Sequence, residues 1–89
     1  MSSPASWYLQ IDPDIFKTIR RIPRRDVKVI LGVIKLLPLG PYFGDIQKMK
    51  GEMDVWRRRV GAYRIFYKII NLKKIILVFR LERRTSKTY

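Results

Sequence analysis

The sequence predicts an α+β domain: an antiparallel β-sheet packed on one side by an N-terminal helical hairpin, in the order β-α-α-β-β-β. Three observations carry this prediction. Apolar residues recur at helical spacing through two successive segments of the first half. From Ile46 onward the period changes to two. Two alternating runs, Val55 to Val60 and Tyr63 to Ile70, flank the short turn Gly61-Ala62, which makes them a hairpin.

Taken in order, residues 1–5 are small and polar and are expected to be disordered. Ser6 to Ile11 reads as a first strand, with Trp7, Leu9 and Ile11 on one face. Asp12-Pro13-Asp14 starts a helix, Asp12 as the cap and Pro13 at the first helical position. Ile15, Phe16, Ile19 and Ile22 follow at helical spacing until Pro23 interrupts. A second helix spans about Arg24 to Leu37, with Val27, Ile30, Leu31, Ile34 and Leu37 on one stripe. Pro38 to Asp45 is a Gly- and Pro-rich loop, Ile46 to Lys50 a short strand, and residues 51–54 a turn. The hairpin comes next, then a turn at Asn71-Leu72-Lys73, and Lys74 to Leu81 forms an apolar last strand.

Alternation also assigns the faces of the hairpin. Tyr63, Ile65, Tyr67 and Ile69 form the set that receives the helices, so Arg64, Phe66 and Lys68 point the other way. The simplest pairing places Arg57, Arg59 and Arg64 together on the open face. It leaves Arg58 on the core side, with its stem buried at the rim and its head in water.

The 89 residues are expected to form one domain, 1–89. A chain this short buries only about 60–65% of its unfolded surface, and a hydrophobic content of 47% is enough to fill a single core. The formal net charge is +13, from 20 basic and 7 acidic side chains. It is concentrated in the second half: residues 1–45 carry 7 basic and 4 acidic groups, residues 46–89 carry 13 and 3. Such density implies an anionic partner, nucleic acid or an acidic protein. A membrane surface is not indicated, because the cations do not line a long amphipathic helix. No apolar run is long enough to span a bilayer. Met1 to Pro4 does not read as a signal peptide, and with no cysteine the expectation is a cytoplasmic protein.

The chemistry available is narrow. With no His and no Cys, Ser-His, Cys-His and zinc catalysis lack their usual parts. The carboxylates are scattered: Asp12 and Asp14 belong to a helix start, and Glu52 and Asp54 to a turn. No glycine-rich phosphate loop is present, and no cofactor or metal site is expected. RNA cleavage stays open, because RNA carries its own nucleophile, the 2′-hydroxyl, beside the scissile phosphate. The protein must align it, remove its proton and stabilise charge on the phosphate. Arginine suits the last task, being always charged and able to bind phosphate with two donors. A tyrosine ringed by cations could act as the base.

Three stretches resemble a known family: Lys48-Met49-Lys50-Gly51, the run Trp56-Arg57-Arg58-Arg59-Val60-Gly61-Ala62-Tyr63-Arg64-Ile65-Phe66-Tyr67, and Glu82-Arg83-Arg84-Thr85-Ser86-Lys87-Thr88-Tyr89. Together they resemble the RelE branch of the RelE/ParE toxin superfamily, whose members are ribosome-dependent mRNA interferases of toxin–antitoxin pairs. The resemblance implies a RelE-like fold and an endoribonuclease that cuts mRNA in the ribosomal A site by 2′-hydroxyl attack. It also implies a cognate acidic, RelB-like antitoxin. It implies that Arg57 and Arg59 hold and polarise the phosphate, that Arg64 stabilises it centrally, and that Arg83 lies near the leaving group. Tyr89 would act as base or stack on a nucleobase. Lys48, Lys50, Lys68, Arg84 and Lys87 would add attraction to RNA and ribosome. Ala62 departs from the polar residue common before Tyr-Arg, and arginine replaces lysine at 57 and 59. Two other readings remain: a ParE-like inhibitor of DNA gyrase without nuclease activity, and a degenerate member that binds only RNA or antitoxin.

Overall fold

The computed structural model describes residues 7–83. Within them run β1 (Tyr8–Ile11), α1 (Asp14–Ile19), α2 (Arg24–Leu36), β2 (Ile46–Lys48), β3 (Val55–Val60), β4 (Tyr63–Ile70) and β5 (Ile75–Arg83). The Asp12 carboxylate accepts the backbone N–H of Asp14 at 2.9 Å, so it satisfies one of the helix's free donors. Pro13 already has helical angles, φ −54° and ψ −27°. Pro23, with ψ 140°, then breaks the path and α2 begins at the next residue. The α2 stripe buries Ile30 and Ile34, one turn apart, and Leu37 is buried in the 3₁₀ turn that follows.

The strand order across the sheet is β1-β5-β4-β3-β2. The hairpins are antiparallel throughout, but β1 pairs with β5 in parallel, Tyr8 opposite Ile75 and Ile11 opposite Val78. The expected antiparallel sheet is therefore mixed. Two successive helices bring the chain back so that β2 opposes β1, and three hairpin reversals then return β5 to the direction of β1. Element ends differ modestly from expectation: β2 stops at Lys48, and β5 runs two residues past Leu81, to Arg83.

One face of the sheet holds the core. Tyr63, Ile65, Tyr67 and Ile69 of β4, with Ile76, Val78 and Leu81 of β5, meet Ile15, Ile30, Ile34 and Leu37. Each fully buried isoleucine stabilises the fold by about 1.5–3 kcal/mol relative to exposure. The two core tyrosines keep their hydroxyls satisfied. Tyr63 donates to Asp26 of α2 at 2.9 Å, and Tyr67 donates to the Pro41 carbonyl at 2.6 Å. No described helix lies on the other face.

Candidate functional site

The uncovered face is built from side chains that alternate with the core. In the β3–β4 register Arg59 stands opposite Arg64, and Arg57 opposite Phe66. Gly61, at φ +58°, supplies the tight turn that fixes this pairing. In the β4–β5 register Glu82 stands opposite Arg64, and Arg80 opposite Phe66. The face thus carries two rows across three strands, Arg59–Arg64–Glu82 and Arg57–Phe66–Arg80. Lys68 follows, between Val55 and Leu77.

Several of these cations are already engaged. Arg57 donates to the Gln47 side chain, its cross-strand partner on β2. Arg59 lies 4.0 Å from the Asp45 carboxylate. Arg80 pairs with Glu82, and its guanidinium sits 5.1 Å above the Phe66 ring. Arg64 differs: its Nε is buried and has no hydrogen-bond partner among the described residues. It also faces Arg59 directly, and like charges opposite one another are unfavourable unless an anion joins them. An anion bound on this patch would satisfy that donor and offset the repulsion.

Arg58 lies on the core side as expected, half-buried at the rim. It turns under the loop before β2 and donates to the Phe43 carbonyl at 3.2 Å, its Nε buried and unpartnered. Gly44 makes this possible. Its φ is +93°, and a Cβ there would stand 2.3 Å from the Arg58 guanidinium.

The other expected site residues are distributed differently. Arg83 does not join Arg64: it pairs with Tyr63, on the helix side of the sheet, and its charge acts on the Tyr63 phenol. The cause is a β-bulge. Tyr67 pairs with Val78 but Phe66 pairs with Arg80, so Phe79 is an extra residue and the faces of β5 exchange there. Lys48 pairs with Trp56, also on the helix side, and Lys50 lies in the turn beyond. Arg84, Lys87 and Tyr89 lie outside the described residues. Arg80 and Glu82, which the sequence reading does not single out, are on the open face because of the same bulge.

The described core tyrosines are poor candidates for a base. Burial raises the Tyr63 phenol, and its hydrogen bond to Asp26 and that carboxylate's charge raise it further, against a lowering by Arg83. Burial pushes Tyr67 up to about 12, despite the nearby Arg58. Both hydroxyls point away from the arginine rows.

Comparison with known proteins agrees with this architecture. The family described as the ParE toxin of type II toxin–antitoxin systems matches residues 9–87. The RelE1 protein of Methanocaldococcus jannaschii is 27% identical over 79 residues, covering 85% of this chain and 88% of its own. Among solved structures, the archaeal RelE–RelB complex from Pyrococcus horikoshii superposes with a TM-score of 0.77 at 22% identity, over 92% of this chain and 99% of that one. The isolated Escherichia coli RelE toxin also gives 0.77, at 17% identity over 92% and 88%. These likenesses show the fold, and the match over nearly the whole sequence shows the family: the chain belongs to the RelE/ParE superfamily, the toxins of type II toxin–antitoxin systems.

Proposed function

We propose that this toxin is a ribosome-dependent endoribonuclease that cuts mRNA in the A site through attack by the RNA's own 2′-hydroxyl. The observation that carries the reading is the convergence of Arg57, Arg59 and Arg64 on one uncovered face, with the Arg64 Nε buried and unpaired. In this reading Arg64 holds the scissile phosphate, and Arg57 and Arg59 exchange Gln47 and Asp45 for its oxygens. Stabilising charge that grows on the phosphate in the transition state is the largest contribution such a face can make. The route requires no metal, because the nucleophile belongs to the substrate. Lys68 lies on the same face and lengthens the track for the RNA backbone. Lys48 and Lys50, at the hairpin edge, and Arg84 and Lys87, in the C-terminal segment, would add attraction to ribosomal RNA. For Arg83, a place at the leaving group requires the end of β5 to turn over, because it pairs with Tyr63 on the helix side.

An acidic, RelB-like antitoxin is the proposed partner. The net charge of +13 and the solved RelE–RelB complexes of the same fold support it. The proposed site of action is the cytoplasm, where ribosomes translate. Binding through phosphates would weaken steeply with salt.

Two observations favour a second reading, a ParE-like inhibitor of DNA gyrase: the description of the matching family and the separation of Arg83 from Arg64. Primer extension on translating ribosomes, run beside a gyrase supercoiling assay, decides between them. Codon-positioned cuts without supercoiling inhibition are expected; inhibition without cuts would replace the nuclease reading by the second.

A further inference from the structure

We propose that Glu82 is the general base that takes the proton of the 2′-hydroxyl. This rests on the nuclease reading and names a proton acceptor for it among the described residues.

The bulge in β5 sets the direction of Glu82. Ile76 and Val78 face the helices, so strict alternation would point Glu82 at the core side as well. The extra residue Phe79 turns it onto the open face, directly opposite Arg64. Bulges commonly re-aim a side chain beside an active site. Glu82 is thereby placed next to the arginine with the unpartnered Nε, in the row that a phosphate bound between Arg59 and Arg64 would occupy. Its side chain is 32% exposed, sheltered but reachable, and Arg80 anchors one oxygen. A carboxylate offers about four lone-pair sites, so that pair leaves room for a hydroxyl proton.

Among the described residues the alternatives on this face are few. The chain has no histidine. Tyr63 and Tyr67 direct their hydroxyls to Asp26 and Pro41 on the other side. Asp45 stands beyond Arg59 at the β2 end and is 71% exposed. Lys68 stands beyond Phe66, two residues along β4 from the row opposite Arg80.

The step balances. The 2′-oxygen forms its bond to phosphorus as its proton passes to the Glu82 carboxylate. The bond from phosphorus to the 5′-oxygen breaks, and that oxygen leaves with the electron pair and takes a proton from water. Glu82 then gives its proton to the hydroxide left behind. The products are a 2′,3′-cyclic phosphate and a 5′-hydroxyl, with nothing oxidised or reduced.

The test is the single-turnover rate on ribosome-bound mRNA as a function of pH, for the parent, Glu82→Gln and Arg80→Ala. Glu82→Gln is expected to lower the rate about 10²–10⁴-fold and to abolish the acid-side limb of the profile, with ribosome binding unchanged. Arg80→Ala keeps the base, so its profile should keep an acid-side limb that Glu82→Gln lacks. Parent-like cutting by Glu82→Gln would overturn the proposal. So would an Arg80→Ala loss as deep as that of Glu82→Gln with the acid-side limb gone as well, since Glu82 would then serve only to hold Arg80. A parent that leaves the message intact overturns the nuclease reading itself, and this inference with it; a cutting parent with an equally cutting Glu82→Gln overturns Glu82 alone.

Discussion

The two faces of β4 are made by alternate residues of one eight-residue strand, yet they have almost nothing in common. Tyr63, Ile65, Tyr67 and Ile69 are buried against the helices, with both hydroxyls satisfied. On the other face Arg64 and Lys68 lie in a field of cations, with Phe66 between them buried under Arg80, and one guanidinium nitrogen is left without a partner among the described residues. The contrast teaches that stability and charge are written on separate residues here, one step apart in the chain. Neighbouring substitutions should therefore have unrelated consequences.

The pair Ile65→Ala and Arg64→Ala separates the two faces most clearly. The first opens a cavity in the core and should cost about 2–5 kcal/mol, read as a lower urea midpoint. The second should leave the midpoint within about 0.5 kcal/mol of the parent, or raise it, because it removes the repulsion from Arg59 opposite. Equal losses would show that the open face is part of the stabilising structure. For RNA cleavage the order reverses: Arg64→Ala should lower the rate about 10²–10³-fold, as removal of one charge-stabilising donor does elsewhere.

A smaller effect concerns alkaline pH. The Tyr67 phenol is raised from 10.0 to about 12 in the folded protein. The folded state therefore retains a proton that the unfolded chain gives up, so this contribution is fully present below pH 10 and is lost as pH rises towards 12. Tyr67→Phe should flatten the fall of stability across that window by roughly 2–3 kcal/mol, seen in urea melts at matched pH. The smallest expected effect is on the bond that ties α2 to the sheet. Tyr63→Phe should cost about 1 kcal/mol, by loss of the hydrogen bond to Asp26, and should not change cleavage beyond its effect on folding.

Most of this architecture could be read in the sequence, for identifiable reasons. Asp12-Pro13 and Pro23 punctuate the helices, Gly61-Ala62 fixes the hairpin, and alternation through residues 55–70 separates Arg57, Arg59 and Arg64 from the core. What was hidden depends on pairing between distant segments. No local pattern shows that β1 runs parallel to β5, because that follows from counting reversals across the whole chain. The bulge in β5 is hidden for a different reason. Ile75 to Phe79 is apolar at every position, so no alternation exists in which a change of phase could appear. That one inserted residue carries Arg83 to the helix side and delivers Arg80 and Glu82 to the arginine rows. The bulge therefore decides which charges join the candidate site.

The proposed function has the open-face arginines act on a single phosphate. Its most direct test is primer extension on translating ribosomes with the parent and Arg64→Ala, at matched protein concentration and with both melting curves in hand. The account predicts codon-positioned cuts by the parent and at least a hundred-fold slower cutting by the variant, at an unchanged melting midpoint. Cuts by Arg64→Ala at the parent's rate, or a loss that merely follows its stability, would contradict it.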